Sequence, residues 1–298
     1  MRARLPGRRN PCVAPDPLYP GGVRRLVLAA ALAVAACGPP PEPAYDATIG
    51  AHAIPVKPGA LKGTFALYIE VATVVGVPIA GVGPQPGGGD SWFRVTRTWD
   101  ATAGVYHETH ELCGGRIWDV LGTQTTITDA ARRKVPAEAV RAVTVAPDGS
   151  YNLNGHLELW GLAGIPDPYT TDLPTDAAGF QKAPAKDWVV DMDGDGHPGM
   201  TAHVQGFATG DVYFVQRRRI NLKGVTRGPS RVFGLNFTDT RKVTIGATTS
   251  LLASPTPVSA DPNPQRSWFD ELRLTDGATC DDVTQAVSAG AIGKNRPF

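Results

Sequence analysis

From Leu61 onward the apolar residues of this chain tend to recur at every second position. Only an extended strand turns that spacing into one buried face. In Thr64–Val71, Phe65, Leu67, Ile69 and Val71 share a face while polar or small residues fall between them. Further strands are predicted at Ser91–Trp99, Val105–Leu112, Ile117–Ile127, Leu157–Leu162, Trp188–Asp191, Met200–Phe207, Val212–Leu222, Arg231–Phe237 and Lys242–Thr248. Most are rich in β-branched and aromatic residues and are bounded by Gly, Pro or Asp. The 34 Gly and 27 Pro supply many turns. Helical spacing shows only weakly, at Ala137–Val143 and Asp281–Ser288. Several strands exceed eight residues, which suits a closed or curled sheet better than a small sandwich. The expected fold is all-β: a single antiparallel, barrel-like or strongly curled domain with a short C-terminal helix. The charged run Arg217-Arg218-Arg219 on one strand, and a terminal Gly293–Pro297 without alternation, argue against a lipid-facing barrel.

The N-terminal part obeys different rules. Arg24-Arg25 precede the apolar run Leu26–Ala36, which ends at Val34-Ala35-Ala36-Cys37. Eleven helical residues rise about 16 Å, well short of the ~30 Å hydrocarbon core, so a transmembrane span is excluded for this run. The pattern resembles the lipobox of bacterial lipoproteins. That resemblance implies a signal peptide over residues 1–36, cleavage before Cys37, and diacylglycerol and palmitate on the Cys37 thiol. Residues 1–22 are Pro- and Arg-rich without an apolar pattern, so either the n-region is long or translation starts later, at Leu18 or Val23. Gly38-Pro39-Pro40-Pro41-Glu42-Pro43 opens a semi-extended tether reaching Gly59, so residues 37–59 form the tether and 60–298 the β-rich domain. By the sorting rule of that family, Gly38 in place of Asp implies the outer membrane rather than the inner, and a periplasmic envelope setting.

Cleavage there leaves 23 of the 29 basic and 27 of the 28 acidic residues, a net charge of −4. No electrostatic case for nucleic acid follows. The membrane partner is expected through the lipid anchor. Cys12 and Cys37 belong to the leader and the anchor, leaving Cys113 and Cys280 of the four cysteines in the folded part. In an oxidising compartment they most simply form one disulfide, the alternative being two separate buried thiols.

Asp191-Met192-Asp193-Gly194-Asp195-Gly196-His197 carries the strongest chemical signal. Carboxylates at positions 1, 3 and 5 with Gly at 6 let the backbone turn sharply round a hard cation. Asp191, Asp193, Asp195 and the carbonyl of His197 are the expected metal ligands, and calcium the expected cofactor. The segment resembles calcium loops of EF-hand, dockerin, thrombospondin type 3 and FG-GAP proteins. It departs from them in Ala202 at position 12 and Pro198 at position 8, which disfavour paired EF-hands. A calcium-clipped hairpin is therefore expected, its missing charge drawn from water or from Asp187, Asp211 or Asp239. An Asp-Gly turn without metal is the alternative.

Three other groups suggest chemistry. His107-Glu108-Thr109-His110-Glu111 lacks the four-residue histidine spacing of zinc hydrolases, and on a strand His107 and His110 face opposite ways. Gly89-Asp90-Ser91 resembles the nucleophile block of GDSL-type esterases, but no histidine follows an aspartate three residues before it; with Gly87-Gly88 it reads as a flexible loop. Arg217–Arg219 reads as a solvated face. The function expected is a lipid-anchored envelope protein whose β domain binds a ligand or partner without catalysis. The alternatives are an envelope hydrolase whose site assembles only in the fold, and a structural or adhesive surface lipoprotein.

Overall fold

A computed structural model describes residues 49–77, 81–254 and 256–294. The expected signal peptide and Cys37, and the expected tether as far as residue 48, lie outside the described residues. The described chain forms twelve strands: β1 Gly63–Val75, β2 Gln85–Asp100, β3 Val105–Ile117, β4 Gln124–Thr126, β5 Glu138–Val145, β6 Ser150–Trp160, β7 Met200–Gln205, β8 Gly210–Thr226, β9 Arg231–Asn236, β10 Asp239–Ala247, β11 Val258–Ala260 and β12 Trp268–Arg273. Four short helices are interspersed, α1 Asp129–Arg132, α2 Ala177–Phe180, α3 Ser250–Ala253 and α4 Cys280–Ser288.

Every strand pairing is antiparallel, and eight strands close a ring in the order β8-β6-β5-β3-β2-β1-β12-β9, with β9 returning to β8. The all-β, barrel-like architecture with a short C-terminal helix is thus as expected. The closing strand is β8, whose 17 residues exceed the height of the ring. Its C-terminal half sits between β6 (Ser150↔Val225) and β9 (Thr226↔Val232). Its N-terminal half projects past them and pairs with β7 (Met200↔Phe214) and β10 (Ala247↔Val212).

An eight-stranded barrel has an interior just wide enough to be filled by side chains. Phe65, Leu67 and Ile69 of β1, Phe93 and Val95 of β2, Leu153 of β6, Ile220 and Leu222 of β8 and Phe269 of β12 fill it, at every second position. The outer face of β2 and β3 carries Arg94, Thr96, Thr98, Thr109 and Glu111, not the apolar band of a lipid-facing barrel. Helix α4 covers one outer face, packing Val283 against Ala66, Tyr68 and Trp268. Its start is set by a reciprocal Thr279–Asp282 capping box. There Cys280 is bonded to Cys113 of β3 across 167 residues of sequence, with Cα atoms 5.0 Å apart. A second, smaller core forms where Leu162, Leu173, Phe180 and Trp188 cover Val215 and Val243.

Four local expectations are corrected. Ile117–Ile127 is not one strand: Leu121 (φ 50°) and Gly122 (φ 71°) turn the chain back, and Val120 pairs with Thr123. Ala137–Val143 is not helical, and from Glu138 it lies in β5, because the gap between β3 and β6 takes a strand there (Tyr106↔Val143, Val143↔Leu153) and tertiary pairing overrides a weak period. Trp188–Asp191 is not a strand either: Ala185–Trp188 form a 3₁₀ turn that buries Trp188 in the smaller core. Gly87–Gly89 is not a flexible loop but part of β2. A Cβ at Gly89 would stand 2.6 Å from the Arg116 carbonyl oxygen, so glycine there lets β3 pass close.

Candidate functional site

The aspartate loop hangs between the smaller core and the start of β7. Gly199 donates to the Val190 carbonyl (2.9 Å) and Met192 to that of Gly199 (3.1 Å), pinching residues 190–199 shut at the base. The bridge between Asp191 and Gly199 is parallel, so the expected hairpin is instead a closed loop. Within it the Asp191 carboxylate accepts the backbone N–H groups of Gly194 (2.7 Å), Asp195 (3.2 Å) and Gly196 (2.9 Å). These bonds, that of Gly196 foremost, lower its pKa. Asp193 accepts the Thr201 N–H at 2.8 Å through Oδ2, while its Oδ1 is buried without a hydrogen-bond partner. Asp195 accepts the His197 N–H at 2.9 Å and the Thr201 hydroxyl.

One oxygen from each of Asp191, Asp193 and Asp195 lies within 4.8 Å of the others. Lost hydration, then the charges of Asp195 and Asp191, raise the Asp193 pKa. The ring of His197 stacks on Tyr213, 4.2 Å between centroids, and takes no part in this group. Nor do the remote acids join it. Asp211 is engaged by His203 at 2.7 Å, and among the described residues only the three loop aspartates form such a group. What the arrangement offers a cation is three carboxylates on a loop already folded by backbone donors.

A second cluster occupies the barrel interior. Arg97, 1% exposed, faces Glu108 across the β2–β3 register and bonds it through Nε at 2.5 Å. Its Nη2 reaches both oxygens of Glu271 on β12, at 2.7 and 2.8 Å, and its guanidinium lies 4.5 Å from the Phe65 ring centroid. Glu108 also accepts the Tyr151 hydroxyl (3.2 Å) and pairs with His110 Nε2 (2.6 Å). The His110 and His156 rings lie 4.4 Å apart. His156 in turn stands 3.5 Å from Glu158, which accepts Trp160 Nε1 at 2.9 Å and Arg218 at 3.4 Å. Arg218 finally donates to Ser91 Oγ at 3.0 Å.

This array is ordered by charge. Burial alone would raise Glu108, but Arg97 and His110 outweigh it and lower its pKa. Burial would likewise raise Glu158, and Arg218 with His156 bring it down to about 2. Glu271, held by a single guanidinium nitrogen, is raised by burial to about 7, the charge of Glu108 adding to the effect. Burial, then the neighbouring His156, lowers His110.

His107 and His110 do face opposite ways: His107 approaches Asp100 on the outside (3.7 Å) while His110 points inward. Ser91 is a buried acceptor of the Arg218 guanidinium, and no His or carboxylate bonds its hydroxyl among the described residues. The arginine run is corrected: its alternation holds but it is not solvated. Arg218 enters the barrel, and Arg217 and Arg219 bind the carbonyls of Thr171 and Tyr169. Sequence reasoning missed the interior array. Its signal was parity: Arg97 shares a face with Phe93 and Val95, and Arg218 with Ile220 and Leu222.

A third feature is a cleft of about 520 Å³ between the barrel wall and the end of α4. Tyr68, Trp92, Arg116 and Lys294 line it, with Asp90 at its floor. Asp90 accepts Trp118 Nε1 at 3.0 Å and is paired with Arg116. Burial and the Asp90 charge push the Tyr68 phenol far up, so it is a neutral donor at any physiological pH. No protein-family model, curated protein or solved structure matches this chain.

Proposed function

We propose that the chain is a lipid-anchored cell-envelope protein whose calcium-stabilised β domain binds a ligand or partner without catalysis. The observation that carries this reading is the contrast between its acids. The carboxylates and histidines of the barrel interior are spent on one another and on two arginines, whereas the three loop aspartates have only backbone and hydroxyl donors. Clustered carboxylates without a basic partner are relieved by a hard cation. A ligand fits the 520 Å³ cleft by α4 better than the filled barrel, and Trp92, Arg116 and Lys294 suit an anionic group on a flat apolar body. A hydrolase would draw on His110 with Glu108 or His156 with Glu158, yet these histidines are only 3% and 2% exposed.

The anchor rests on Val34-Ala35-Ala36-Cys37, and the outer membrane on Gly38. Metabolic labelling with palmitate and cell fractionation test it: Cys37→Ala should lose the label and leave the membrane fraction. A Cys37→Ala chain that stays labelled and membrane-bound would refute the lipobox reading.

A further inference from the structure

We propose that Arg217, Arg219 and Arg241 form a binding site for a tetrahedral oxyanion, a phosphoryl or sulfate group, beneath the turn at Pro168–Thr171. The site shares no residue with the cleft beside α4 or with the aspartate loop. Arg217 and Arg219 are two residues apart on β8 and so stand on one side of it. Arg241 of β10 is the direct partner of Arg217, and Asp239 that of Arg219. Side chains directly opposite have Cβ atoms about 5 Å apart, where like charges repel. Three guanidinium groups are thus gathered where two strands meet.

What these arginines bind is neutral. Arg217 donates through Nη1 to the carbonyls of Thr171 (2.6 Å) and Pro168 (3.3 Å), Arg219 through Nη2 to that of Tyr169, and Arg241 through Nη1 to that of Leu173 (2.7 Å). Among the described residues none of the three makes an ion pair. Burial lowers the Arg217 pKa, and the push of Arg219 and Arg241 adds to it, each outweighing the pull of Asp239 or Asp172. Asp167 is spent on its own turn, accepting the N–H groups of Tyr169 (3.0 Å) and Thr170 (3.3 Å). Donors are left over as well. A guanidinium carries five N–H groups, yet only one nitrogen of each arginine is engaged, and Arg219 Nε is buried without a hydrogen-bond partner.

Carbonyl oxygens satisfy some of these N–H groups but leave three positive charges facing one another. A tetrahedral oxyanion meets both needs. Guanidinium forks match the edges of phosphate and sulfate, and three forks call for more acceptor oxygens than the two of a carboxylate. The cover can give way to such a ligand. Pro168–Thr171 lie in a turn closed on itself by the Thr171 N–H to the Asp167 carbonyl (2.8 Å), and no strand pairs with it. Leu162 and Leu173, on either side of the turn, are held in the smaller core. The turn can therefore lift while its flanks stay seated, and oxygens of the anion take the places of the Pro168, Tyr169 and Thr171 carbonyls.

The test titrates the full chain, in calcium-free buffer at constant ionic strength, with inorganic phosphate, sulfate, acetate and chloride in a calorimeter. Phosphate and sulfate should saturate one site, the tighter of the two assigning the group, and acetate should bind about tenfold more weakly or not at all. Arg241→Gln, which keeps a donor for the Leu173 carbonyl, should weaken binding by about tenfold or more. Arg219→Lys keeps the charge, loses the fork and should weaken it too. Lys62→Gln, exposed and outside the cluster, should change nothing. Cleavage within residues 167–172 by a non-specific protease should quicken when sulfate is added to the unaltered chain, and not with Arg241→Gln. The general strengthening of burial by sulfate and phosphate acts on both chains alike, so the difference between them is the readout. No saturable binding, equal affinity in Arg241→Gln, acetate as tight as sulfate, or an unchanged cleavage rate would overturn the proposal. Circular dichroism melts without anion show that each variant is folded, and Arg219→Lys carries the test if Arg241→Gln is not.

Discussion

Glu108, Glu158 and Glu271 inside the barrel and Asp191, Asp193 and Asp195 in the loop are both triads of acids, neutralised in opposite ways. Inside, burial removes water, so each carboxylate must find a cation or keep a proton. Arg97 serves two of the glutamates, Arg218 serves the third, and Glu271 has the raised pKa. In the loop, water remains, so the aspartates are folded together by backbone N–H groups without any Lys or Arg partner among the described residues. A buried triad closes on itself and organises the core, while a half-exposed one can stand with backbone and hydroxyl donors alone.

The sharpest way to break this contrast is to remove the cation that two buried acids share. Arg97→Met should cost about 3–5 kcal/mol, because Glu108 and Glu271 are left without their guanidinium. Urea unfolding measures it, and restoring part of the loss with Glu271→Gln on the same background would show that the penalty is electrostatic. A cost below about 1 kcal/mol would mean that packing, not pairing, holds the interior.

The next effect concerns pH. Glu271 is raised to about 7 in the fold from its ordinary 4.5. Between those values the unfolded chain gives up a proton that the folded chain keeps. Its contribution is therefore complete below pH 4.5 and lost as pH rises to 7. Glu158, lowered to about 2, behaves oppositely: its contribution is present above pH 4.5 and lost as the solution is acidified. Glu271→Gln should flatten the limb between pH 4.5 and 7, a change on the order of 2 kcal/mol, leaving the acid limb intact. Chemical denaturation across that range is the measurement, and an unaltered limb would show that Glu271 is not the group that keeps the proton.

The smallest effect belongs to the loop. If it holds calcium as proposed, the lack of a bidentate Glu predicts dissociation constants on the order of 10⁻⁴ to 10⁻³ M. Calcium at tenfold excess then adds about 1.4 kcal/mol, raising the melting temperature by about 3–6 °C. Asp193→Ala should abolish that rise and leave the calcium-free melting temperature equal or slightly higher, since one repelling charge is gone. Flat calorimetry with the unaltered protein would reduce the loop to an Asp-Gly turn.

The two triads also differ in how readily they were seen in the chain. The loop aspartates are two residues apart, so their convergence follows from one local turn around Gly194 and Gly196. The partners of Arg97 lie 11 and 174 residues away, and no local spacing relates them. Parity within a strand placed Arg97 and Arg218 on apolar faces. Long basic side chains on a strand more often mean solvent, and that expectation concealed them.

By itself the sequence determined what short-range sterics and spacing control: the alternation that makes β1, β2 and β8, the capping box that starts α4, and the aspartate loop. Only tertiary structure decided the rest. It made residues 138–145 a strand because β3 and β6 left a vacant ladder between them, and it placed glycines inside β2 because the β1 carbonyl of Val71 passes close to Gly88 and the β3 carbonyl of Arg116 close to Gly89. Above all it closed the ring through β8 and β9, pairing β1 with β12 across nearly the whole domain. Closure turns one face of every strand inward together, and that shared burial drives scattered arginines, glutamates and histidines into a single array.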